Sequence, residues 1–294
     1  MKEYLIALSF IVVLLSCNPR TDKTKAKPIA QPRKTDTSQL DTSIPITYKL
    51  ANTEQWLALN KTDSFKLEIA LAVNRTDYAN FSRMDSVIIP ANFSYAKANY
   101  LPFPLQVEYL KDVRKIIFFS YPAQTFAAYE NGKLSYTGPT NMGREAYATP
   151  TGLFFTNWKA KVAISTVNSS WVLPWNFNIL NKEGIGWHQY SLPGYPVSHS
   201  CLRLQAKDAE YLYYWADQWV LANSYTISVK GTPVIIFGTY DFSVTKPWLQ
   251  LMANPHTFDI SLTEIEKITQ PYLSEIMEAQ INRKIFLLSE QEIL

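Results

Sequence analysis

Apolar and polar positions alternate differently in successive parts of the chain. Ser64–Val73 carries apolar residues at near-helical spacing after a possible capping serine, which predicts a helix that starts with Ser64 as its cap. The polar stretch Asn74–Asp77 ends that helix, and Asp85–Pro90 predicts a turn followed by a short apolar strand. We therefore expect residues 46–95 to form a small α+β segment.

From residue 107 onwards, short β-branched and aromatic runs dominate. Asn131-Gly132 stands between two of these runs and predicts a tight hairpin, because both turn positions need a positive φ. The predicted strands are Lys115–Ser120, Thr125–Tyr129, Lys133–Thr137, Leu153–Thr156 and Val234–Phe237. Ala206–Val220 has one apolar face and predicts a helix. We expect a mainly β domain over residues 107–240.

The end of the chain has helical signals instead. Ser261-Leu262-Thr263-Glu264 is a capping-box pattern, which predicts a helix over Leu262–Thr269. A second helix is expected after Pro271, so residues 241–294 form a predicted helical extension.

The first 17 residues have the pattern of an export signal. Lys2 precedes the apolar run Tyr4–Leu15, which is shorter than the roughly 20 residues that a membrane-spanning helix needs. Leu14–Cys17 resembles the bacterial lipoprotein cleavage box, which implies that Cys17 carries a lipid. The alternative is an ordinary signal peptide with an incidental cysteine. The lipoprotein interpretation predicts a protein anchored by lipid at the periplasmic side of an envelope membrane.

Residues 18–45 are rich in Lys, Thr, Pro, Asp and Gln and predict a disordered linker. Much of the formal net charge of +3 comes from this stretch, between Arg20 and Lys34. A positive charge confined to a tail argues against a nucleic-acid partner, which requires a basic stripe on a folded face. We expect a monomer.

The two cysteines, Cys17 and Cys201, point to the candidate chemistry. If Cys17 is lipidated, Cys201 has no partner in the chain and is a candidate reactive thiol. His188 and His199 both lie within 13 positions of it. A cysteine nucleophile needs a nearby imidazole or positive charge, so we predict Cys201 as nucleophile, His188 as base and Arg203 as a contributor to the local field. Backbone N–H groups of the Ser200–Cys201 turn are candidate oxyanion donors.

Other interpretations of these residues stay open at this point. Cys201 has the alternative of a buried, inert thiol, and both histidines have the alternative of packing roles. A zinc site of His188, His199 and Cys201 is a further alternative, although no other ligand stands at the usual spacing. We predict neither a metal nor a cofactor.

Ser198-His199-Ser200-Cys201-Leu202-Arg203-Leu204, preceded by His188, resembles the signature of the L,D-transpeptidase catalytic domain (YkuD type). Three further pieces follow the order of that family: Glu130–Gly132, Thr149–Phe154 and Gly231–Val234. The resemblance covers about Val107–Phe237. It implies a mainly β, β-sandwich-like catalytic domain, here with the small α+β segment before it and the helices after it.

The resemblance also implies a reaction. Members of the family take a peptidoglycan stem tetrapeptide as acyl donor, form a thioester at the cysteine, release D-alanine and transfer the acyl group to an amine in a 3→3 crosslink. Cys201 is then the nucleophile and His188 the base, oriented by the carbonyl of Gln189. His199, Ser200 and Gln189 support the oxyanion site. The expected substrate-binding residues are Arg203, Ser198, Trp187 and Tyr190.

Ser200 and Gln189 stand where the family usually has glycine, and a serine is harder to place at positive φ. An L,D-carboxypeptidase or crosslink hydrolase using the same site is therefore one alternative. A non-catalytic cell-wall-binding lipoprotein is the other. For the latter, Ile69–Pro90 resembles the second half of a LysM glycan-binding module, with a packing subdomain without ligand as the alternative.

Overall fold

The computed structural model of the protein describes residues 46–165 and 167–292. The predicted signal peptide 1–17, the linker 18–45 and the lipidation site Cys17 lie outside these residues. The first described segment contains, in chain order, strand β1 (Tyr48–Asn52), helices α1 (Thr53–Asn60), α2 (Ser64–Val73) and α3 (Tyr78–Phe81), and strand β2 (Ser86–Pro90).

Helix α2 has the bounds predicted from the apolar spacing, but its cap is different. The side chain of Asp63 accepts a hydrogen bond from the backbone N–H of Lys66, so Asp63 and not Ser64 is the N-cap. Strand β1, which the sequence pattern did not predict, pairs antiparallel with β2 from Tyr48 opposite Pro90 to Asn52 opposite Ser86. The expected small α+β segment is therefore closed by a two-stranded sheet.

The central part of the chain is built on two larger sheets. The five-stranded sheet contains β3 (Ile116–Ser120), β4 (Thr125–Glu130), β5 (Lys133–Pro139), β6 (Gly152–Phe155) and β13 (Pro233–Phe237), in the order β5-β4-β3-β13-β6. The four-stranded sheet contains β7 (Lys159–Ile164), β8 (Val172–Leu180), β9 (Ile185–Gln189) and β10 (Leu202–Leu204), in the order β10-β9-β8-β7. A short hairpin of β11 (Val220–Asn223) and β12 (Thr226–Val229) completes the strands of the described residues.

The two larger sheets share one hydrophobic core, which makes the domain sandwich-like as expected. Ile117 and Phe119 of β3 meet Trp187 of β9 and Leu202 of β10 there, with helix α4 (Ala206–Trp215) against the same core. Successive side chains of a strand point to opposite faces, so Ile116 and Phe118 enter a second core on the other face of the five-stranded sheet. The mainly β prediction is confirmed.

The predicted hairpin at Asn131-Gly132 is present, with positive φ values of 49° and 73° at the two residues. The predicted helix Ala206–Val220 is too long, because the observed helix ends at Trp215 and the chain is extended at Ala216. Asp217 explains this end, since its backbone N–H binds the hydroxyl of Thr232 and its carboxylate pairs with basic side chains near β3. These contacts draw the chain away from a helical path.

Helices α5 (Leu262–Thr269) and α6 (Leu273–Glu292) confirm the two C-terminal helices. The predicted cap is observed, because the Ser261 hydroxyl accepts from the backbone N–H of Glu264 at 3.1 Å. Ile265 and Ile276 bury their side chains in the second core, beneath the five-stranded sheet. Within residues 46–165 and 167–292, no helix combines the length and the apolar character that crossing a bilayer requires.

Candidate active site

Two neighbouring parallel strands place the predicted nucleophile and base. Strand β10 runs parallel to β9, with Arg203 opposite His188 and Leu202 opposite Trp187. Paired residues point to the same face of a sheet, so His188 and Arg203 share one face, and Cys201, two residues before Arg203, extends it. From strand spacing and rise, the Cα atoms of His188 and Cys201 are about 8 Å apart.

The imidazole of His188 is held in one orientation. It is 4% exposed, and its Nδ1 lies 3.0 Å from the carbonyl oxygen of Gln189. A carbonyl only accepts, so Nδ1 carries the proton and Nε2 keeps its lone pair. Burial lowers the pKa of His188 to about 4, and the charge of Arg203 acts in the same direction. The contact that the resemblance implied at Gln189 is present. It raises the pKa of His188, but burial outweighs it and leaves the imidazole neutral at neutral pH.

The thiol of Cys201 is half-buried and protonated in this arrangement. Its Sγ lies 3.9 Å from the carbonyl oxygen of Gly184. Burial raises the pKa of the thiol, while the backbone N–H of Gly186 and the charge of Arg203 oppose that rise. None of the hydrogen bonds of the described residues joins Cys201 to His188. The two groups rest as a neutral thiol beside a neutral imidazole, not as an ion pair.

The turn before Cys201 is held by its own serines. The Ser198 hydroxyl donates to the backbone oxygen of Cys201 at 2.5 Å, and Ser198 is buried. Ser200 has φ 73°, the left-handed conformation that glycine adopts easily and that costs other residues about 1–2 kcal/mol. Its hydroxyl donates to the carbonyl of Tyr147 at 3.0 Å, and its own carbonyl accepts from Thr149 Oγ1 at 2.9 Å. Serine thus adopts the conformation for which the family usually has glycine.

The ring of His199 lies between two aromatic rings. The ring centroids of Tyr147 and Trp171 are 4.6 Å and 5.1 Å away. Nη2 of Arg144 donates to Nε2 of His199 at 3.1 Å, so the proton of this ring sits on Nδ1. Burial and the charges of Arg144 and Arg203 lower the pKa of His199. With Nε2 engaged by Arg144, His199 is not placed to act as the base.

The stretch 141–149 crosses the site and was not predicted as part of it. Backbone bonds link Asn141 to Arg203 in both directions, and the N–H of Arg144 donates to the carbonyl of Ser198 at 3.1 Å. A Cβ on Gly143 would meet the backbone oxygen of Tyr147 at 2.1 Å, so only glycine fits this crossing. The sequence carries no signal that joins this stretch to residues more than 50 positions later.

Arg203 and Tyr190 border His188 on the strand face. The guanidinium carbon of Arg203 lies 4.6 Å from the centre of the Tyr190 ring, and that ring meets His188 edge-on at 5.7 Å. Both side chains are partly exposed, as a substrate-binding role requires. The role itself stays a prediction.

Two of the predicted substrate-binding residues are corrected by the structure. Trp187 is fully buried against Phe119 and Phe177, because strand alternation turns it to the core face when His188 faces the site. Ser198 is buried as well, and its hydroxyl is used inside the turn.

As for the zinc alternative, the part of the chain that the structure describes contains no group of three or more His, Cys, Asp or Glu side chains arranged to hold a metal.

The family model of YkuD, the L,D-transpeptidase catalytic domain, matches residues 114–236, which confirms the predicted resemblance over that segment. The comparison with curated proteins gives no match.

Among solved structures, the chain is similar to an L,D-transpeptidase from Stackebrandtia nassauensis (23% identity, TM-score 0.35, 43% of this chain and 56% of that one). It is also similar to one from Mycobacterium tuberculosis H37Rv (22%, 0.34, 42% and 58%) and to one from Xylanimonas cellulosilytica (20%, 0.40, 57% and 78%). The chain spans little more than half the length of the first two.

Proposed function

We propose that this protein is a peptidoglycan L,D-transpeptidase with Cys201 as nucleophile and His188 as general base. The observation that supports the proposal is the pairing of β9 with β10, in which His188 lies opposite Arg203, two residues after Cys201, with Nε2 of His188 unprotonated. The YkuD match over residues 114–236 supports the reaction class.

In the proposed reaction, the sulfur of Cys201 attacks the carbonyl carbon of the third residue of a stem tetrapeptide as Nε2 of His188 takes the thiol proton. The resulting imidazolium returns that proton to the departing nitrogen, and D-alanine leaves as a thioester forms. An amine of a second stem then attacks the thioester carbonyl and regenerates the thiol, completing a 3→3 crosslink.

The thiol of Cys201 and the imidazole of His188 are both neutral before a substrate binds. This favours a proton transfer that is coupled to the attack. The raised pKa of the thiol leaves little thiolate at neutral pH, and the lowered pKa of His188 leaves its base form fully available. A substrate that fills the site and excludes water brings thiol and imidazole into hydrogen-bond reach. Backbone N–H groups of the Ser200–Cys201 turn are the proposed donors to the developing oxyanion.

Purified protein and its Cys201→Ala variant, incubated with tetrapeptide muropeptides, test the proposal by mass spectrometry. We expect an adduct on Cys201, release of D-alanine and crosslinked dimers, all absent from the variant. Trimmed tripeptides without dimers would indicate the carboxypeptidase or hydrolase alternative. Intact substrate and no adduct with either protein would favour the non-catalytic cell-wall-binding lipoprotein.

We further propose that a lipid on Cys17 holds the protein at the periplasmic side of an envelope membrane. The support is the sequence of the Leu14–Cys17 box alone. Metabolic labelling with an alkyne fatty acid should mark the wild-type protein and not a Cys17→Ala variant. Equal labelling of both would contradict the anchor without affecting the proposed reaction.

A further inference from the structure

A cavity of about 620 Å³ lies away from the catalytic strands. Its walls come from Tyr48, from the stretch 99–106 and from the stretch 255–262, and neither His188 nor Cys201 lines it. The volume is within the roughly 300–1,000 Å³ of small-molecule sites. Apolar side chains form much of the wall, among them Leu101, Phe103, Leu105, Phe258 and Ile260.

One wall of this cavity carries a buried guanidinium, that of Arg75, which is 1% exposed. Nε donates to the carbonyl of Ala123 at 2.6 Å, and Nη1 donates to the carbonyls of Ala72 and Val73 at 2.7 Å and 2.9 Å. An arginine has five N–H donors. The two on Nη2 have no hydrogen-bond partner among the described residues.

The charge of Arg75 also has no carboxylate partner among the described residues. Of the two acidic residues that line the cavity, Glu108 pairs with Lys111 at 3.2 Å, and Asp259 pairs at 2.6 Å with His256, which lines the cavity as well. Burial lowers the pKa of Arg75 to about 10, so the guanidinium stays charged at neutral pH. A buried charge that lacks a counter-ion is unfavourable, and an anion in the cavity would remove that cost.

Tyr48 supplies a second donor beside this guanidinium. It lines the same cavity, and its hydroxyl forms no hydrogen bond with a described residue. Burial raises the pKa of Tyr48, the charge of Arg75 opposes that rise and the charge of Asp259 adds to it, so the phenol keeps its proton. A charged donor and a neutral donor therefore lie within one mainly apolar cavity.

The backbone holds Arg75 in place before any ligand arrives. Its φ is 56°, its N–H donates to Ala72, and its carbonyl accepts from the side-chain amide of Asn141 at 3.1 Å. Three side-chain hydrogen bonds then fix the guanidinium. A donor fixed in advance loses little conformational entropy when it binds an anion.

We propose that this cavity binds a small amphiphile with one carboxylate. The carboxylate accepts from Nη2 of Arg75 and from the hydroxyl of Tyr48, and the hydrocarbon part lies along Leu101, Leu105 and Phe258. A hydrogen bond between a guanidinium and a carboxylate is charge-assisted and roughly twice as strong as one between neutral groups. The proposal is independent of the reaction proposed at Cys201.

Calorimetric titration of the full chain with decanoate tests it, with decyltrimethylammonium as the probe of equal chain length and opposite charge. We expect saturable binding of one decanoate per chain and at least tenfold weaker binding of the cation. Tyr48→Phe should weaken decanoate binding several-fold, and Leu105→Trp should weaken it at least tenfold by filling the cavity.

Two matched substitutions at exposed positions, Tyr225→Phe and Leu59→Trp, should leave decanoate binding unchanged. Tyr48→Phe carries the test if Leu105→Trp unfolds the protein, because it removes one oxygen atom from an otherwise unchanged ring. Absence of saturable binding, equal affinity for the two probes, or equal affinity of Tyr48→Phe and wild type would each overturn the proposal.

Discussion

Replacing His188 with glutamine tests the proposed proton transfer most directly. The substitution keeps a polar side chain of similar length beside Gln189 and removes the only group on this face with a free basic nitrogen among the described residues. The thiol would then have to lose its proton to water. Because burial already raises the pKa of Cys201, that loss is unfavourable at neutral pH.

The expected size of the effect follows from the role of a general base, which contributes roughly 100- to 10,000-fold to a rate. The pH dependence gives a second, independent magnitude. Since the pKa of His188 is lowered to about 4, the acidic limb of the wild-type acylation rate should fall near pH 4. An exposed imidazole would place it near pH 6.5.

The assay is the rate of acylation of Cys201 by a carbapenem, followed by intact-protein mass spectrometry between pH 3.5 and 9. His256→Gln is the matched control, because His256 is exposed, pairs with Asp259 and lies outside the site. The control should acylate like wild type. His188→Gln should be slowed at least 100-fold while its thermal unfolding stays cooperative.

Equal acylation rates of His188→Gln and His256→Gln would refute the assignment of His188 as base. An acidic limb near pH 6.5 in the wild type would refute the lowered pKa of His188, because the imidazole would then be hydrated in the free protein. A rate that rises only above pH 9, unaffected by His188, would show that attack needs a preformed thiolate.

Three further outcomes follow from the same site. Between pH 6.5 and 4, the imidazole of His188 binds a proton in the unfolded chain but stays neutral in the folded protein. The free energy of unfolding in urea should therefore fall by about 3 kcal/mol as the pH is lowered over this range, and this loss should be absent from His188→Gln. Ser198→Ala should lower the free energy of unfolding by about 1–3 kcal/mol, because the carbonyl of Cys201 loses its partner; an unchanged value contradicts this. Ser200→Gly removes strain of about 1–2 kcal/mol and the hydroxyl bond to Tyr147 together, so its stability should stay within about 1 kcal/mol of wild type while carbapenem acylation speeds up several-fold. Slower acylation of Ser200→Gly would show that the bond to Tyr147 is needed.

Local sequence patterns were sufficient to predict much of the secondary structure. The apolar spacing of Ser64–Val73 and the capping box at Ser261 act over a few residues, and both helices have their predicted bounds. The hairpin at Asn131-Gly132 is equally local, because positive φ at both positions is a property of those two residues. The limit appears at Ala206–Val220, where contacts of Asp217 with distant residues end the helix early.

The candidate site was likewise predictable from the sequence only in part. The cluster of His188, His199 and Cys201 is visible in sequence because all three lie in one short stretch. Which way each side chain points is not visible, and Trp187 was misassigned because its face depends on the pairing of β9 with β10.

By itself, the sequence determined helices α2 and α5, the hairpin and the candidate residues for the chemistry, since these depend on neighbours a few positions away. Only the tertiary structure decided that Gly143, Arg144 and Tyr147 cross the site and that Arg75 lines a cavity and has no counter-ion among the described residues. The contacts of Arg144 and Tyr147 with His199 and Ser200 join residues more than 50 positions apart. Side-chain burial, which sets the pKa of His188 and of Cys201, exists only once the sheets have packed.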